Sequence, residues 1–266
     1  MKIRAPSKKP IVLGPAHPNQ GLEAAYRKRL DALVEAMNRS LLYWLTAVYR
    51  ANEPEMAHDA SPAMALRSAM KKLSTYWQKR FDDAAPELAR YFAENAFKRA
   101  DGSLQAILKK AGFTVDFKLT REANDVLQAT LGENVGLIKS IASEHLTQVE
   151  GLVMRSVSAG RDLSTLSAEL HERFGVTKRR AALIARDQNN KATATITRVR
   201  QQSLGITHAK WLHSHGGREP RKSHQAADGK IYDISKGMLI DGDYIWPGQL
   251  INCRCVARSV IPGLED

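Results

Sequence analysis

Only two of the 266 residues are cysteine, Cys253 and Cys255, too few for a disulfide framework, and the expectation is a reducing compartment. No apolar run approaches the roughly 20 residues that a bilayer crossing needs. The start carries Pro6, Pro10, Pro15 and Pro18 among charges and lacks the apolar centre of a signal peptide, so a soluble protein made in a cytoplasm is expected. A phosphate-cradling glycine loop is missing, and so is a paired-carboxylate constellation. Readings as an ATPase or a glycosidase therefore have no residues to rest on. Nothing repeats at a fixed period, which argues against solenoids and propellers.

What is present resembles ordinary globular protein: 43% hydrophobic and 26% charged residues, with 17 Gly and 10 Pro. A chain of this length suggests two domains. The net charge of +12 is unevenly spread. Residues 1–10 hold four lysines and arginines and no acid, and residues 178–230 hold twelve against Asp187, Glu219 and Asp228. The remainder is close to neutral. Clustered positive charge concentrates polyanions, and each neutralised phosphate releases counterions, so double-stranded DNA bound without sequence preference is a natural partner. Lys178, Arg179, Arg180, Arg198 and Arg200 are the candidate DNA-binding residues. A solvated basic face is the bland alternative.

Residues 1–20 read as an extended basic arm that orders on a partner, because closely spaced prolines remove backbone donors and disfavour helix before them. Residues 21–160 read as a helical module. Leu22, Tyr26, Leu30, Leu33, Met37, Leu41, Leu45 and Val48 recur at helical spacing. A second helix is predicted after Ser61-Pro62, with Leu66, Met70, Leu73, Trp77 and Phe81 inward, and Pro86 is expected to open a third bearing Leu88, Phe92 and Ala96. Gly112 ends a short helix, residues 113–119 are extended, and residues 120–131 and 134–157 return to helical spacing. Residues 161–266 read as a separate α+β domain. A short helix there stops at Gly175, and Thr177 caps a long one to about Leu204, with Gly205 in the left-handed position beyond it. Short strands at 209–213 and 230–232 follow. The expected fold class is α+β, mainly α, with a short antiparallel sheet packed on the long helix.

The polar residues of the last ninety positions admit more than one chemistry. Arg218, Arg221, Lys222 and His224 can converge on a phosphate or carboxylate; equally, Arg221 can pair with Asp228 or Asp187 and lock a loop-rich domain, the reading favoured here. Arg186 and Asp187 are adjacent on a helix and cannot face one another, so each is expected to reach the loop packed over it. Cys253 and Cys255 with His224, and His213 or His215 as a fourth, could hold a structural zinc. The alternatives are two ordinary buried thiols or a disulfide. No other cofactor is expected. A Cys-His nucleophilic pair lacks an evident oxyanion site. In every version, Trp211, Arg221, His224, Asp228, Cys253 and Cys255 are predicted to gather in one cluster, because strands this short need their loops fastened to them.

In order, the series runs Ala185-Arg186-Asp187-Gln188, Arg198 to Arg200, Gly205-Ile206, Trp211, Arg218-Glu-Pro-Arg221-Lys-Ser-His224, Asp228-Gly229, Pro247-Gly248 and Asn252-Cys253-Arg254-Cys255. This series, over roughly residues 160–260, resembles the phage Mu F-like head morphogenesis family. Many relatives carry Thr-Glu where this chain has Asp187-Gln188. The resemblance implies a minor capsid protein of a tailed bacteriophage or prophage, not an enzyme. It would be assembled in the bacterial host cytoplasm and carried in the virion near the portal. The portal protein and the major capsid or scaffold proteins are the implied partners, with residues 21–160 as the portal-proximal module. The competing expectation is a metal-dependent hydrolase or toxin-like effector using His224, Asp228, Cys253 and Cys255.

Overall fold

The computed structural model describes residues 10–51, 60–158, 163–217 and 219–261. Arg218 and residues 1–9 lie outside the described residues, as do residues 52–59, 159–162 and 262–266. The elements are β1 (Ile11–Val12), α1 (Gln20–Ala51), α2 (Ala60–Lys110), α3 (Arg121–Ser158), α4 (Leu163–Ser203), β2 (His208–Leu212), α5 (Lys222–Ala226), β3 (Ile231–Asp233), β4 (Met238–Ile240), β5 (Asp243–Ile245) and β6 (Val256–Ile261). The chain is mainly α with a small antiparallel β part. No helix among the described residues is long and apolar enough to cross a membrane.

Two compact units emerge, one from residues 24–91 and 131–185, the other from residues 1–23, 92–130 and 186–266. The described residues of the first are all helical. On α1, Tyr26, Leu30, Val34, Met37, Leu41, Leu45 and Tyr49 are buried. Val34 and Tyr49 thus hold the places expected for Leu33 and Val48, since one residue of helical rotation is about 100° and the buried stripe favours the neighbour nearer its centre. On α2, Leu66, Met70, Leu73, Trp77 and Phe81 are buried as their spacing predicts.

Several predicted helix boundaries are absent: the short helix expected before Gly112 is the end of α2, and α3 runs unbroken across residues 132–133. Pro86 lies inside α2. A proline there removes one backbone hydrogen bond at a cost of about 3 kcal/mol, yet Phe81, Ala85 and Ala89 continue the buried stripe across it, and packing decides. Gly175 lies inside α4 for the same reason. A mid-helix glycine costs about 1 kcal/mol, whereas Leu166, Leu170, Ala181 and Ile184 form one buried face. Thr177, expected as a cap, instead donates its hydroxyl back to the Arg173 carbonyl at 3.2 Å.

The second unit holds the sheets. A four-stranded antiparallel sheet has the order β1-β6-β2-β3, and β4 pairs with β5 beside it. Ile206, Ala209, Trp211, Tyr232, Ile234, Cys253 and Cys255 share its core. The C-terminal half of α4 lies against this sheet, where Gln201 donates to the Ser259 hydroxyl at 2.8 Å. α4 ends as predicted at Gly205, whose φ of +72° lets its N–H reach the Gln202 carbonyl at 3.0 Å and the Ile206 N–H reach that of Gln201 at 2.9 Å. Both orphan carbonyls are thereby satisfied.

The proline-rich arm, expected to order on a partner, orders on this chain from residue 10. Ile11 and Val12 pair with Ile261 and Val260, and Leu13 is buried against Leu104 and Leu108. Strand pairing offers the backbone donors that the prolines leave a register with which to pair.

Candidate metal centre

Two short segments meet at the centre. The first is α5, a single turn that presents His224. Its exit is tied to β2: Gly229 N–H donates to the Trp211 carbonyl at 2.9 Å, and Trp211 N–H to that of Lys230 at 2.8 Å. Trp211 stacks edge-on against His224, ring centroids 5.3 Å apart. The second is the loop Trp246 to Cys255. Asn252 has a φ of +62°, a conformation asparagine tolerates better than most. This turn directs Cys253 and Cys255 inward and leaves Arg254 exposed.

Helix α4 clamps that loop. Arg186 donates to the Asn252 side-chain oxygen at 2.8 Å, and Asp187 accepts the Asn252 N–H at 2.8 Å. Asn190 donates to the Cys253 carbonyl at 3.1 Å. From the opposite side Arg221 donates to the Ile251 carbonyl at 3.0 Å. Gly248 packs on α4 so closely that an added Cβ would sit 2.9 Å from the Ala194 Cβ. Its N–H points at the Cys253 sulfur, 3.4 Å away.

His224, Cys253 and Cys255 are each under 5% exposed. Their potential ligand atoms lie within 4.8 Å of one another. His224 Nδ1 is 3.5 Å from the Cys253 sulfur and 3.7 Å from that of Cys255. The cysteines are free thiols, not a disulfide. Hydrogen bonds from the Cys255 side chain and backbone and from the Gly248 N–H pull the Cys253 thiol well below its usual range. Cys255 is pushed up because it supplies the shared proton and is desolvated. The three groups open on a cavity of about 380 Å³ whose lining includes Arg186, His213, Glu219, Arg221 and Arg254.

Several predicted partners differ. Asp228 accepts the His213 N–H at 2.8 Å and faces His215 at 3.3 Å, and these bonds, the backbone one first, hold its carboxyl below the usual range. It is bound neither to Arg221 nor into the His-Cys group, because the His213 N–H just after β2 and the His215 ring hold its carboxylate while Arg221 donates to the Ile251 carbonyl. His213 spends Nδ1 on the His215 N–H at 3.1 Å. Neither histidine joins the three described ligands.

The basic candidates also separate. Arg200, 3% exposed, grips Asp101 with two bonds of 2.8 Å and donates to the Lys118 carbonyl at 2.7 Å. This corrects its reading as a phosphate contact, since its donors are committed inside. Arg198 lies over the Trp246 ring, 4.2 Å from its centre. Lys178 pairs with Glu35 and Arg180 with Glu144, both at 2.7 Å. Arg179 is exposed.

Sequence reasoning passed over Asn190, and named Gly248 and Arg254 in the motif series without giving either a role. A signal existed for the first: Asn189 and Asn190 run consecutively through a helix that asparagine favours poorly, and both are buried.

Residues 147–258 match the family described as Phage Mu protein F like protein. An uncharacterized protein of Haemophilus influenzae is 28% identical over 270 residues, covering all of this chain and 58% of that relative's length. No solved structure matches.

Proposed function

We propose that this chain, whose residues 147–258 match the Mu F-like family, is a minor head protein of a tailed phage or prophage. It acts without catalysis at the portal during head assembly, packaging or ejection, and travels in the virion. The family match carries this reading. The residues that make the resemblance also serve each other: Arg186, Asp187, Arg221 and Asn252 hold one loop in place, the economy of a docking module.

The portal contact is assigned to the helical residues. Tyr43, Trp44 and Tyr76 are each more than half exposed, and Trp44 and Tyr76 line an apolar cavity of about 840 Å³. Exposed aromatic surface of this kind favours a protein partner, while charge chiefly steers the encounter. DNA contact rests on Lys178, Arg179, Arg180 and Arg198, with Arg200 withdrawn. The major capsid or scaffold proteins are the remaining partners.

The test is the protein inventory of purified particles before and after DNA ejection, with portal co-purification of the full chain against its Trp44→Ser, Tyr76→Ser variant. Presence in the particle and loss of portal retention in the variant are expected. Absence from the particle would sink the reading.

A further inference from the structure

We propose that His224, Cys253 and Cys255 form a zinc site that staples α5 to the Trp246–Cys255 loop, its fourth position open to the arginine-rimmed cavity. The case begins with distances. Zinc holds imidazole nitrogen at about 2.0 Å and thiolate sulfur at about 2.3 Å in a tetrahedron, which puts nitrogen and sulfur about 3.5 Å apart along each edge. The two separations here are 3.5 and 3.7 Å.

Hydrogen bonding alone accounts for less of this arrangement. An imidazole nitrogen has one lone pair or one proton, so it can satisfy one sulfur at a time. Here both sulfurs converge on the same nitrogen, Nδ1. A cation accepts the lone pairs of all three at once. Two thiolates also neutralise a divalent ion, so the group can be buried without leaving net charge in the core.

The surroundings are those of a supported ligand set. The Gly248 N–H points at the Cys253 sulfur at 3.4 Å, and such donors orient thiolates. From α4, Asp187 and Arg186 hold the neighbouring Asn252 and Asn190 holds the Cys253 carbonyl, while the Trp211 ring packs edge-on against His224. Among the described residues no fourth His, Cys, Asp or Glu joins the three. The fourth donor therefore comes from the cavity side, as water or a small anion, and Arg186, Arg221 and Arg254 favour the anion.

The experiment uses the full chain produced in zinc-supplemented medium, desalted and assayed for metal by elemental mass spectrometry. About one zinc per chain is expected, falling below about a tenth in Cys253→Ser with Cys255→Ser. His224→Ala should lower it similarly. Cobalt titrated into chelator-treated wild-type chain should give thiolate-to-metal charge-transfer bands and the intense visible bands of a tetrahedral ion. That measurement needs no variant, so misfolding of the variants leaves the question decidable. Wild-type chain with both thiols reduced, yet retaining no zinc and giving no thiolate bands with cobalt, overturns the proposal. So does a Cys253-Cys255 disulfide in protein purified without reductant.

Discussion

Arg200 and Asp101 face each other through two parallel bonds of 2.8 Å, with the guanidinium 3% exposed and a third bond running to the Lys118 carbonyl. The residue is a structural tie between α4, α2 and the extended segment after α2, and Phe117 stacks on its charge, 4.9 Å from ring centre to guanidinium. Arg200→Ala leaves the Asp101 carboxylate and the carbonyl without their donor, and a loss of about 3 kcal/mol is expected. Chemical denaturation monitored by circular dichroism measures it. A loss below about 0.5 kcal/mol would mean that the pair is no stronger than an exposed one.

DNA binding separates Arg200 from its neighbours in sequence. Arg179 is exposed, and Arg179→Ala should reduce the slope of log affinity against log salt by about 0.9 if it meets one phosphate. Arg200→Ala, assayed where it is folded, should leave that slope unchanged. Fluorescence anisotropy with a short duplex over a range of salt reads both, and equal slope changes would contradict the assignment.

His145 gives the helical unit an acid sensitivity. Its Nδ1 meets the Thr177 hydroxyl at 2.8 Å, its Nε2 is buried without a hydrogen-bond partner, and desolvation, helped by Arg173, lowers its pKa from 6.5 to about 4. The unfolded chain therefore binds this proton first. Stability from this group is constant above pH 6.5, falls between 6.5 and about 4, and is flat below. The total loss is on the order of 3 kcal/mol. Denaturation of wild type and His145→Gln at about pH 7 and about pH 4.5 should show a smaller acid loss in the variant. Identical losses would show that His145 does not titrate in this window.

Gly248 has a φ of +82°, and a Cβ there would meet the Ala194 Cβ at 2.9 Å. Gly248→Ala is expected to cost about 2 kcal/mol from backbone strain and overpacking together. Ala194→Gly in the same chain removes the clash but not the strain, so it should restore only part of the loss. Full restoration, measured by thermal unfolding, would assign the whole effect to the contact.

Trp44 and Tyr76 are both 53% exposed. Replacing both with Ser should weaken portal co-purification at least about tenfold while leaving the melting temperature nearly unchanged. Undiminished retention would move the portal contact elsewhere on the chain.

The helical stripes of α1 and α2 were legible in the residues because a helix is a local object, whose buried face recurs every three or four positions whatever it packs against. The Gly205 terminus was legible for the same reason, being set by residues within one turn. The convergence of His224 with Cys253 and Cys255 was also legible in outline, since a Cys-x-Cys pair in an extended segment presents both sulfurs to one side. Local signals failed where they met burial. Pro86 and Gly175 mark boundaries in isolation, but a few kcal/mol of apolar packing across each outweighs the local penalty. Choices among charged partners could not be read at all. Arg200 chose Asp101, Asp228 chose the His213 N–H, and Arg221 chose the Ile251 carbonyl, because Coulomb and hydrogen-bond energies depend on separation in space and are nearly blind to separation along the chain. The pairing of Ile11 with Ile261 is the extreme instance: either segment alone is a short extended stretch with unpaired backbone, and only the closed fold brings its partner within reach.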